Sequence, residues 1–110
     1  MNTIDFSKFK YANLRLHSDV EPYEIVKVVS NKTLIVRPMH AKLDPTWKPE
    51  MHAGGFVAHT SNNYDQKWII TSDVLSDTVR IRLHKNGTWH GRSGRFTINE
   101  KPIKFHDYNF

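Results

Sequence analysis

The chain has 110 residues, no cysteine, seven histidines and a formal net charge of +5. That length suits one domain around a single core, and 38% hydrophobic with 25% charged residues marks a globular chain, not a disordered one. The lack of cysteine excludes thiol catalysis, Cys-ligated zinc and iron–sulfur clusters and points to the cytoplasm, and no apolar run approaches the roughly 18–20 residues that cross a bilayer.

Taken in chain order, residues 1–22 carry little periodicity and read as an N-terminal extension. Phe6, Phe9, Tyr11, Leu14 and Leu16 suit a short helical turn leading into an edge strand, and the opening Met1-Asn2-Thr3-Ile4-Asp5-Phe6 lacks the basic-then-apolar form of a secretion signal. The core is expected over residues 23–110. Tyr23-Glu24-Ile25-Val26-Lys27-Val28-Val29 is dense in β-branched residues, Ser30-Asn31-Lys32 is a turn, and Thr33-Leu34-Ile35-Val36-Arg37 is a second strand that Pro38 ends. Residues 40–66 form a long irregular stretch punctuated by Pro45, Trp47, Pro49, Gly54 and Gly55. Loops of such length are usually functional or disordered, and Trp47, Phe56 and Tyr64 predict that this one lies ordered over part of the core. Lys67-Trp68-Ile69-Ile70-Thr71 is the next strand.

In the last third, Val79-Arg80-Ile81-Arg82-Leu83-His84 alternates apolar with basic, the pattern of a half-buried strand. Turns at Lys85-Asn86-Gly87, Ser93-Gly94 and Asn99-Glu100-Lys101 divide an antiparallel meander into strands at 78–84, 88–91, 95–98 and 102–106. Its register is decided by which choice keeps the apolar residues together. A two-residue Asn86-Gly87 turn pairs His84 with Trp89 and puts Trp89 on the arginine face. A three-residue loop with Gly87 left-handed pairs Leu83 with Trp89. A four-residue loop at Gly91-Arg92-Ser93-Gly94 then pairs Trp89 with Phe96. Val79, Ile81, Leu83, Trp89, Phe96 and Ile98 share one face only in this second case, since a one-residue slip splits the set. Six to seven short strands of this kind predict a mainly β fold, an SH3-like barrel first and an open β-roll second.

The same register turns Arg80, Arg82 and His84 outward, with His90 opposite Arg82, Arg95 opposite His90 and Arg92 in the adjoining loop. Arginine forks grip phosphate or carboxylate with two bonds, so this face is a candidate surface for DNA, RNA or an acidic protein, consistent with a pI near 9.6. The alternative is a solvated strand face that discourages aggregation. Trp89 and Phe96 are used inside, which disfavours a base-stacking platform and leaves backbone recognition open.

The second candidate region is the loop, with Trp47, His52, Gly54, Gly55, Phe56, His59 and Asn62. His52 and His59 flank the glycines and are placed to converge with Asp44 or Asp65. The seven histidines fall in no tight ligand motif, no Gly-x-Ser-x-Gly is present, and no glycine-rich phosphate loop occurs. No metal, cofactor or catalytic residue is therefore assigned, and a small metal-dependent hydrolase built on this loop is the third-ranked reading. The ending Phe105-His106-Asp107-Tyr108-Asn109-Phe110 either docks on the barrel or leaves an aromatic patch for a partner.

Several of these residues together carry a resemblance. Asp44-Pro45, Lys48-Pro49, Gly54-Gly55-Phe56-x-Ala58-His59-x-x-Asn62, Gln66-x-Trp68, Lys85-Asn86-Gly87-x-Trp89 and the final Asp107-Tyr108-Asn109-Phe110 resemble a group of small uncharacterised proteins of bacteriophages and integrated mobile elements, over residues 23–110. In that group a cysteine often follows the motif histidine, where this chain has Thr60. The resemblance implies a setting in a bacterial host cytoplasm, not a mechanism. It suggests a non-enzymatic protein that acts on a host protein or nucleoprotein complex, for example by inhibiting a nucleic-acid-guided defence complex. Direct nucleic-acid binding through the basic face is the second-ranked reading, and the oligomeric state, monomer or homodimer, stays open.

Overall fold

The alternation of apolar and polar residues produces short strands, and six of them close on themselves. A computed structural model describes residues 4–54, 57–60 and 63–108, with backbone alone for 51–54, 57–60 and 63. The strands in chain order are β1 (Tyr11–Arg15), β2 (Val20–Ser30), β3 (Thr33–Pro38), β4 (His40–Leu43), β5 (Met51–Gly54), β6 (Val57–Thr60), β7 (Trp68–Thr71), β8 (Val79–Leu83), β9 (Trp89–Gly91) and β10 (Gly94–Asn99), with one 3₁₀ turn at Asn63–Asp65. An antiparallel barrel closes in the order β1-β10-β9-β8-β3-β2. The small barrel expected from the strand plan is present, and it is the closed form, not an open roll.

The core is the inward face of these strands. Ala12, Leu14, Leu34, Val36, Ile81, Trp89 and Phe96 are buried together, with Ile4, Phe6, Tyr23, Ile25, Val79, Leu83 and Ile98 packed around them. Tyr23 meets Phe96 edge-on at 5.0 Å between ring centroids. The meander has the register that keeps its apolar set intact, with Leu83 opposite Trp89 and Trp89 opposite Phe96. Gly87, at φ +84°, supplies the left-handed residue of the three-residue loop, which His84 and Thr88 close through a 2.8 Å backbone hydrogen bond. Followed from Val20 through Arg15, Arg95, His90, Arg82 and Thr33, the pairing returns to β2 at Ser30, at its other end. The strands are thus strongly tilted, as closure of so few requires.

Gly91 sits tightly against β8 and β10. A Cβ there would lie 2.7 Å from Ile81 Cγ2 and 3.3 Å from a Phe96 ring carbon. Gly91→Ala is therefore expected to destabilise the barrel by about 1–3 kcal/mol, the usual cost of overpacking, and chemical denaturation would read it. Unchanged stability would mean that Ile81 turns away freely.

Three expectations are corrected. Residues 1–22 are not an extension, because β1 pairs with β10 on one side and β2 on the other. Residues 40–66 are not simply irregular. β4 pairs with β7 and β5 with β6, so residues between β3 and β8 make a two-section β arm, and the molecule measures 51 × 29 × 24 Å. Residues 102–106 make no ladder strand. Pro102 lacks an N–H, the Ile103 N–H is taken by the Asn13 side chain at 2.8 Å, and only Phe105 bridges to Val20.

Of the aromatic ending, Phe105 to Tyr108 dock, as its aromatic content suggests, while Asn109 and Phe110 lie outside the described residues. Tyr108 packs on Trp47 at 5.6 Å and Phe105 stacks on Tyr64 at 5.7 Å, while Lys104 Nζ pairs with Glu21 at 2.5 Å. Gln66 accepts from the His106 backbone N–H and from Trp68 Nε1. Asp19 accepts from the Asp107 N–H at 2.9 Å and faces His106 Nδ1 at 3.2 Å. That backbone hydrogen bond is the main cause holding the Asp19 carboxyl below its usual range, against the opposing effect of burial. A depressed carboxylate pKa contributes stability that is fully present above the unfolded value, about 3.9, and lost as pH falls through the folded value. Amide-exchange protection at Asp107 is accordingly expected to fall below about pH 4, before the barrel opens, and Asp19→Asn should flatten this response. Protection that persists until global unfolding would show that the clip does not hold the tail.

Candidate functional site

On strands that alternate in and out, burying Val79, Ile81 and Leu83 forces Arg80 and Arg82 outward. The closed barrel then adds a neighbour on each side. Arg82 lies opposite His90, His90 opposite Arg95, and Arg95 opposite Arg15. Four consecutive strands thus contribute one cationic or titratable side chain each to a single cross-strand row. With strands about 4.8 Å apart, the row spans roughly 14 Å along the barrel surface. Arg80 lies two residues before Arg82 on the same face, and Arg92 projects from the β9–β10 turn. Arg80, Arg82, Arg92 and Arg95 are all exposed.

The predicted pairings of Arg82, His90 and Arg95 are all present, and Arg80 and Arg92 adjoin them. His84 stays exposed at the end of β8, its ring 4.3 Å from that of His90. His90 Nε2 also lies 2.7 Å from Thr88 Oγ1. Arg15 completes the row and was missed. It sits in the stretch that lacks strand periodicity, and only the pairing of β1 with β10 brings it there. Its Nε donates to Thr97 Oγ1 at 2.9 Å, which ties the side chain to the neighbouring strand.

Like charges directly opposite one another destabilise a sheet, so an offsetting carboxylate would be expected nearby. Among the described residues, Arg80, Arg82, Arg92 and Arg95 make no ion pair. Most carboxylates are engaged elsewhere, and Asp77, which lies beside Arg80 and Arg92, makes no ion pair with either. Glu24 pairs with Arg37, Glu21 with Lys104, Glu100 with Lys8 and Asp19 with His106. Asp5, Asp44 and Asp73 accept from hydroxyls in their own turns, on Ser7, Thr46 and Ser76. Those hydrogen bonds hold all three carboxyls below the usual range. The hydroxyl is the main cause at Asp5 and Asp73, and the Thr46 backbone N–H at Asp44.

The loop candidates are not gathered in the same way. Trp47 is buried, 6% exposed, and packs on Tyr108, so it serves the tail. Its indole N–H has no acceptor among the described residues. His52 and His59 are register partners across β5 and β6, and Gly54 pairs with Val57. Gly55, Phe56 and Asn62 lie outside the described residues. Asp44 is engaged in its own turn, and no cluster of three or more His, Asp or Glu that could hold a metal occurs among the described residues. No helix among the described residues is long and apolar enough to cross a membrane. In comparisons with protein families, curated proteins and solved structures, nothing matched the chain.

Proposed function

We propose that this protein is a non-enzymatic binding module whose working surface is the row Arg15, Arg95, His90 and Arg82, with Arg80, His84 and Arg92 beside it, and that its ligand is a nucleic-acid backbone. The observation that carries this reading is a cross-strand row in which Arg15 faces Arg95 directly and His90 lies between Arg95 and Arg82, with no ion pair at Arg80, Arg82, Arg92 or Arg95 among the described residues. A role in blocking edge-to-edge pairing explains it poorly, since β8, β9 and β10 have neighbours on both sides in a closed barrel and offer no free edge there. Phosphates would relieve the mutual repulsion, and the arginine forks suit them. With Trp89 and Phe96 turned inward, recognition would be of backbone and shape, not of stacked bases.

The test is binding of the purified protein to DNA and RNA at two salt concentrations, with charge-altered variants. Binding that weakens steeply with salt supports the reading. No binding at low salt overturns it and moves weight to a protein or nucleoprotein target of a bacterial host, the setting that the phage-like motifs suggest. For that target the exposed apolar tip Val74-Leu75, at 69% and 92% exposure, would be the first contact to examine. It is held on a turn by Asp73, which accepts from the Leu75 N–H and the Ser76 hydroxyl.

A further inference from the structure

The basic face is not uniformly convex. Beside the row, Asp77, Thr78, Val79, Arg80 and Arg92 line an open recess of about 520 Å³, within the size range of small-ligand pockets. Its chemistry is divided. Arg80 and Arg92 supply two guanidinium forks with no ion pair among the described residues. Asp77 supplies a carboxylate and Thr78 a hydroxyl, while Val79, whose side chain packs against the core, joins them to Arg80 along the lining.

A backbone phosphodiester carries one charge and two free oxygens, which one fork satisfies. Two forks on one recess suit a phosphomonoester, which carries a charge of about −1.5 to −2 and three acceptor oxygens. The carboxylate repels that phosphate, so it sets the ligand's direction and leaves Asp77 to accept a hydrogen bond from the ligand's other end. An exocyclic amine such as cytosine N4 is the kind of donor that a carboxylate reads.

We propose that this recess binds a nucleoside 5′-monophosphate unit, with the phosphate between Arg80 and Arg92 and a base amine at Asp77. As a strand terminus, this deepens the nucleic-acid reading and rests on it. As a free nucleotide, it stands apart. The shared chemistry is the phosphomonoester, and the two sources are separable.

The experiment compares short single strands labelled at the 3′ end that begin with cytidine and carry either a 5′-phosphate or a 5′-hydroxyl. Cytidine 5′-monophosphate alone is titrated in parallel against the amide resonances of residues 77–80 and 92. The expected result is at least tenfold tighter binding of the phosphorylated strand. Arg92→Gln should abolish that preference while the hydroxyl strand loses only a few-fold. Asp77→Asn should keep the phosphate preference and reduce the preference for terminal cytidine over terminal thymidine. Equal affinity for both strands, with no shifts from the mononucleotide, overturns the recess and leaves the row as a backbone surface. Shifts from the mononucleotide without binding of either strand support the recess as a free-nucleotide site and overturn the row. Neither strand binding and no shifts overturn both.

Discussion

Arg82→Glu combined with Arg95→Glu is expected to weaken nucleic-acid binding at least 100-fold at low salt while leaving the barrel folded. If the five arginines at positions 15, 80, 82, 92 and 95 each meet one phosphate, log affinity should fall with log salt at a slope of about −4, lying between the single-strand and duplex coefficients. That corresponds to roughly 250-fold between 50 and 200 mM. Arg82→Gln with Arg95→Gln removes two contacts without reversal and should flatten the slope by about 1.5–2. Lys42→Glu, an exposed change on the arm, serves as the control and should leave the slope alone. The same double Gln variant removes the like-charge juxtaposition of Arg95 with Arg15, so its melting temperature should rise slightly as binding falls. Opposite signs in the two readouts are what a surface kept for binding at some cost to stability produces. A folded double variant with unaltered affinity and slope would remove the row from the function.

The second large effect is on the fold. Asn13 is fully buried, 0% exposed, on the outer side of β1, beneath the returning tail. Its Nδ2 donates to Asn99 Oδ1 at 2.9 Å and to the Lys101 carbonyl at 3.1 Å, and its Oδ1 accepts from the Ile103 N–H at 2.8 Å. Asn13→Ala would strip a partner from a backbone N–H and a backbone carbonyl in a part-buried site and leave a cavity. The expected loss is roughly 3–5 kcal/mol, a large share of the stability of an ordinary domain. Asn13→Asp keeps the acceptor for Ile103 and the volume, but turns a carboxylate oxygen toward two acceptors. It should be at least as damaging at neutral pH and partly recover when the carboxyl is protonated. Denaturant titration of both variants at two pH values checks this. An Asp variant that is insensitive to pH would mean the tail lifts off Asn13 instead of straining against it.

How much of this was legible depends on where each side chain's burial comes from. The meander was readable because Val79, Ile81, Leu83, Trp89, Phe96 and Ile98 can share a face in one register only, and Gly87 marks the loop that sets it. β1 was readable only as an edge strand after a helical turn, not as a strand paired on both sides. Ala12 is small, Asn13 is polar, and Asn13 is buried by residues nearly ninety positions away, so the local alternation that signals a strand is erased. β4 was hidden for a related reason, because its partner β7 begins after the whole intervening hairpin. On the basic face, the arginines of β8 and β10 followed from alternation along their own strands. Arg15 joined them only through closure of the barrel, which is a fact about pairing and not about pattern.

Closure also orders events in time. β1, the first strand of the barrel in chain order, has one of its two neighbours in β10, the last. During synthesis, Tyr11–Arg15 can lie against β2, but its other edge stays open until Gly94–Asn99 has emerged. Contacts of such long sequence separation form slowly, and chains with an unpaired strand edge are prone to associate wrongly. The growing chain therefore carries one open edge from β1 until β10 has emerged, and the row that includes Arg15 and Arg95 comes into being only then.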